Sequence, residues 1–68
     1  MSIKVTVVVK KEDDWYVAKC LENSVTSQGN SIEESLKNLQ EAIELYYQDE
    51  KPEIDNKQVF LTTLEVAI

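Results

Sequence analysis

Residues Val25 to Gln48, V-T-S-Q-G-N-S-I-E-E-S-L-K-N-L-Q-E-A-I-E-L-Y-Y-Q, constrain the fold more than any other stretch. Val25 and Ser27 alternate with polar Thr26 and Gln28, the period of a short strand. Gly29, the one glycine in the chain, follows directly. A solitary glycine marks a backbone position that needs φ > 0 or a close approach. Ser31 and Glu34 then have capping-box spacing: the serine oxygen accepts from the third helical N–H, and the glutamate reaches back to the serine N–H. A helix is predicted from about Ile32 to Gln48. Ile32, Leu36, Leu39, Ile43 and Tyr46 share one stripe, widened by Ser35, Ala42 and Tyr47. Tyr46 is expected in the core and Tyr47 at its margin.

The flanking segments read as strands. Ile3, Val5, Val7 and Val9 alternate with Lys4, Thr6, Val8 and Lys10, a β-branched, period-two pattern. Lys11 to Asp14 forms a polar turn, and Trp15 to Cys20 a second strand, so an antiparallel hairpin is expected. Leu21 to Ser24 is a second turn, with Asn23 and Ser24 as turn formers. Asp49 to Lys57 is a charged loop in which Pro52 prevents helix. Gln58 to Ala67 is predicted as a last strand, with Phe60, Thr62, Leu64 and Val66 on one face. The order β-β-β-α-β gives a two-layer α+β domain. One helix covers one face of such a sheet. The second and last strands carry apolar groups on both faces, and that surplus is expected to meet another protein.

Sixty-eight residues allow one domain, spanning 1–68. A chain of that length buries only about 60% of its unfolded surface, and association would relieve its marginal stability. Thirteen acidic residues against seven lysines give a net charge of −6. That balance disfavours nucleic acid, whose phosphates need a basic surface, and suits a basic protein partner. There is no arginine and no histidine, so the bidentate phosphate fork and the commonest general base and metal ligand are missing. Cys20 is alone, which excludes an intrachain disulfide and suits a reducing, cytoplasmic setting. No apolar run approaches the roughly 20 residues of a membrane span, and the N-terminus has no signal-peptide architecture.

Catalytic chemistry is thin. Cys20 lacks a histidine to activate it as a nucleophile, and a small buried hydrophobe is the better reading. Asp13 and Asp14 sit at a hairpin tip, where two carboxylates without a cage hold a cation weakly. No catalytic residue, metal site or cofactor is therefore expected. Trp15 reads either as a core-edge residue or as an interface anchor. Leu45 projects on the polar side of the helix, where with Ala42 it forms a possible contact patch.

Asp14-Trp15-Tyr16-Val17-Ala18, Leu21-Glu22, Ser27-Gln28-Gly29-Asn30-Ser31 and Glu33-Glu34-Ser35-Leu36, continued by Asn38-Leu39 and Glu41-Ala42, resemble the N-terminal domain of HicB-type antitoxins. The resemblance runs from about Val5 to Tyr47, and Q-G-N-S-I-E-E-S-L is its most specific block. It implies a truncated ribonuclease H-like β-β-β-α-β fold. It also implies a role in binding and masking HicA, a small basic ribonuclease that cleaves mRNA with a catalytic histidine. Ribonuclease H-like nucleases place a carboxylate in the middle of the first strand, and Ile3 to Lys10 has none. The expectation is thus a non-catalytic HicB-like antitoxin that occludes a HicA-like toxin. Trp15, Glu22, Glu34, Glu41 and Leu45 are the candidate partner-binding residues. The C-terminal DNA-binding module usual in the family is expected to be lacking. Homo-oligomers are expected from open sheet edges. The alternative is a toxin-less structural or ligand-binding module acting as a homo-oligomer.

Overall fold

A computed structural model describes residues 3–48 and 58–68 of the chain. Three strands and a helix follow in order: β1 (Val7–Glu12), β2 (Trp15–Cys20), β3 (Thr26–Gly29) and α1 (Ile32–Tyr46). The strands form one antiparallel sheet in the order β1-β2-β3. The α+β class and its two layers follow directly from the alternating and helical periods of the sequence.

β1 runs two residues beyond the expected end at Lys10. The pairs Lys11↔Tyr16 and Glu12↔Trp15 continue the ladder, leaving Asp13 and Asp14 as a two-residue turn. Asp13 makes this possible by adopting φ 39°, a left-handed conformation that aspartate tolerates better than most residues. Ser24 does the same (φ 62°) at the end of the second turn. There Asn23 accepts the Val25 N–H at 3.0 Å, and Ser24 N–H donates to the Cys20 carbonyl at 2.9 Å.

α1 lies on the sheet face formed by Val7, Val9, Ala18, Cys20 and Val25. Ala18, Cys20, Leu39 and Ile43 make the buried apolar core, with Val5, Val7, Val9, Val25 and Tyr47 packed around it. The buried line of the helix is Ser35-Leu39-Ile43, rotated from the expected stripe. Ile32, Leu36 and Tyr46 are exposed, and Tyr46 and Tyr47 exchange roles: Tyr46 is 58% exposed, while Tyr47 is half-buried against the core.

The rotation has a local cause at Gly29. A Cβ there would stand 2.6 Å from the Ser35 amide nitrogen and 2.8 Å from the Glu34 carbonyl carbon. Helix backbone therefore rests directly on strand backbone, and only a small side chain fits at Ser35. That serine is fully buried, and its hydroxyl donates to the Ile32 carbonyl at 2.8 Å. The lone glycine thus serves close approach, since its φ is not positive.

The expected fourth strand does not form. Residues 58–68 are assigned to no strand or helix, and every side chain among them is exposed. Alternation supplies a face to bury, but a strand exists only when its backbone groups find a neighbouring edge.

Candidate protein-binding surfaces

The start of α1 is fixed by its cap. Ser31, extended at φ −143° and ψ 167°, accepts the Glu34 N–H at 3.0 Å. The Glu34 carboxylate reaches back, but to the Asn30 N–H (3.0 Å) rather than to that of Ser31. It ties down the residue ahead of the cap and places negative charge at the positive end of the helix dipole.

The C-terminal end is tied down by aromatics. Tyr46 and Tyr47 meet edge to face at 4.9 Å, and the Tyr47 hydroxyl accepts from Asn23 Nδ2 at 3.2 Å. That contact joins the end of α1 to the β2–β3 turn. Midway along the helix, Asn38 Nδ2 donates to the Gln28 carbonyl at 2.8 Å. Sequence reasoning missed Asn38 as a structural residue, and it placed Asn23 in the turn without its bond to Tyr47. Asparagine is a poor helix former, and its presence inside α1 was the available signal at position 38.

The five candidate contact residues do not converge. Glu22 is half-buried and turned inward: one carboxylate oxygen accepts the Thr6 N–H at 2.8 Å and receives the Cys20 thiol at 3.6 Å. The Thr6 N–H holds the Glu22 carboxyl below its usual range, against the opposing pull of partial burial. Glu34 is engaged in the cap. Glu41 and Leu45 lie one turn apart on the outer face of α1, and Leu45 is 70% exposed. Trp15 belongs to the opposite layer. Ala18 and Cys20 point under the helix, so by strand alternation Trp15, Val17 and Lys19 face the other way. Trp15 is 41% exposed there.

Charge divides between the two layers. α1 carries Glu33, Glu34, Glu41 and Glu44 against a single lysine, Lys37. The open sheet face carries Lys10 and Lys19 beside Val8, Val17 and Trp15, with Glu12 at its end. The acidity inferred from composition is thus concentrated on the helix within the folded layers. Among the described residues, no group of three or more His, Cys, Asp or Glu side chains could hold a metal ion. No described helix is long and apolar enough to cross a membrane.

No curated protein and no solved structure matches the chain. Residues 4–67 match DUF7387, a family of unknown function. The match begins ahead of β1 and includes residues 58–67 of the C-terminal segment, so that segment is part of the family unit. With nearly its whole length matched, the chain belongs to the DUF7387 family.

Proposed function

We propose that this chain is a HicB-like antitoxin domain that binds a small basic ribonuclease of the HicA type and masks its RNA-binding surface. The observation that carries this reading is the outer face of α1. Glu41, Glu44 and Leu45 stand exposed there on the acidic layer, which joins electrostatic steering to an apolar anchor. The resemblance in Ser27–Leu36 supports the family kinship. Its glycine and cap residues are the ones that seat the helix on the sheet. The β-β-β-α order is consistent with a truncated ribonuclease H-like unit, the finer fold we propose. Occlusion needs only a complementary surface, and the Cys20 thiol is buried away from any substrate.

The test is co-expression and pull-down with a small, basic, histidine-bearing protein encoded beside this chain. The expected result is a stable complex in which the partner's RNA cleavage is lost. Charge reversal at Glu41 and Glu44 should release the partner and restore cleavage. No binding at micromolar concentration would end the proposal.

A further inference from the structure

The hydrogen-bond pattern of the sheet shows which of its two edges is open. Leu21 N–H donates to the Thr6 carbonyl at 2.9 Å, and Thr6 N–H is taken by Glu22. Thr6 therefore turns both backbone groups toward β2. Antiparallel ladders alternate, so Val8, Lys10 and Glu12 do the same. The backbone groups of Val7, Val9 and Lys11 must point to the outer edge. On β3, Cys20 N–H donates to the Val25 carbonyl at 2.8 Å, which by the same alternation turns Thr26 and Gln28 outward. Here, however, the Gln28 carbonyl is occupied by Asn38. Among the described residues, the helix guards the β3 edge and nothing pairs with the β1 edge.

The same chain carries a segment suited to that edge. Q-V-F-L-T-T-L-E-V-A-I (residues 58–68) is rich in β-branched and aromatic residues and has no glycine or proline. Phe60 is 82% and Leu64 83% exposed, and the segment forms no ladder with β1–β3. Its one ionisable side chain, Glu65, is opposite in charge to Lys10, on the open face of β1, and to Lys11, on the other, and can meet one of them. Nine residues separate Gln58 from Gln48, a reach of about 30 Å when extended. Reach therefore permits pairing at home or with a second molecule, yet among the described residues the arm pairs with neither edge.

We infer that residues 58–68 add as a fourth strand to the β1 edge of a second copy of this chain, reciprocally, giving a two-fold homodimer. Each copy donates one arm and accepts one. The exchange covers the apolar side chains of the arm and supplies partners for Val7, Val9 and Lys11. This inference stands independently of toxin masking, which uses the outer face of α1.

The test is native mass spectrometry and light scattering on the full chain, wild type and two variants. Val9→Pro removes an outward N–H without breaking a bond to β2, and so blocks the edge. Leu64→Asp cripples the arm and leaves the edge intact. Wild type should be dimeric. Each variant alone should dissociate at concentrations at least tenfold higher than wild type. An equimolar mixture should recover a 1:1 heterodimer through the one remaining exchange. A monomeric wild type, or a dimer unaffected by Leu64→Asp, would overturn the inference. Should Val9→Pro fail to fold, the Leu64→Asp result decides alone.

Discussion

One oxygen of Glu22 holds the backbone N–H of Thr6 at 2.8 Å across sixteen residues of sequence, pinning the entry to β1 onto the turn after β2. The Glu22 carboxyl titrates below its unfolded value as a result. A depressed carboxyl contributes stability that is present above the unfolded pKa, about 4.3, and is lost as pH falls through the folded one. Glu22→Gln should therefore cost about 1 kcal/mol at neutral pH and almost nothing once Glu22 itself is protonated. Urea midpoints at the two pH values measure this. An equal gap at both would show that charge plays no part.

Gly29→Ala should be among the most damaging single methyl additions in the chain. The new carbon meets the backbone of Glu34 and Ser35, which cannot rotate out of the way as a side-chain tip could. Separating strand and helix would loosen the packing of Ser35 and Leu39, at a cost of about 1–3 kcal/mol. Thermal or urea unfolding followed by circular dichroism is the measurement.

Leu45→Ala should leave stability within about 0.5 kcal/mol of wild type, because the side chain is largely in water. Its effect should fall on association with the basic partner proposed above, weakening it by tenfold or more if Leu45 is an anchor. Paired unfolding and titration measurements separate the two. A binding constant unchanged by Leu45→Ala would remove Leu45 from the contact surface.

Asn23→Ala removes two hydrogen bonds, one to the Val25 N–H and one to the Tyr47 hydroxyl. A loss of about 1–2 kcal/mol is expected, since each such bond contributes near 1 kcal/mol. Tyr47→Phe should cost roughly half as much, because only the second bond goes. Reversing that order would mean that the Tyr47 hydroxyl contributes more than its bond to Asn23.

The order of the first four elements, the Ser31 cap and the glycine contact were legible in the sequence because each depends on neighbours within a few residues. What escaped depends on partners far along the chain. The end of β1 turned on the willingness of Asp13 to take φ 39°. The rotation of α1 followed from a backbone contact between Gly29 and Ser35, which favoured a serine over Ile32 and Leu36 at the buried line. Tyr47 won the inner position over Tyr46 through a hydrogen bond to Asn23, a residue 24 positions away. The strand expected at Gln58–Ala67 had the right period, but alternation says nothing about whether an edge is at hand. Of the candidate contacts, Glu22 and Glu34 read as surface acids, yet both hold backbone N–H groups within the fold. The expected charged loop over 49–57 lies outside the described residues.

Asn38 reaches across to the Gln28 carbonyl and so occupies one margin of the sheet with a side chain. Stacking of such sheets without end would require two receptive margins on every molecule. With the Gln28 carbonyl already taken, that margin offers a neighbouring strand an incomplete ladder, which discourages sheet-to-sheet growth along it.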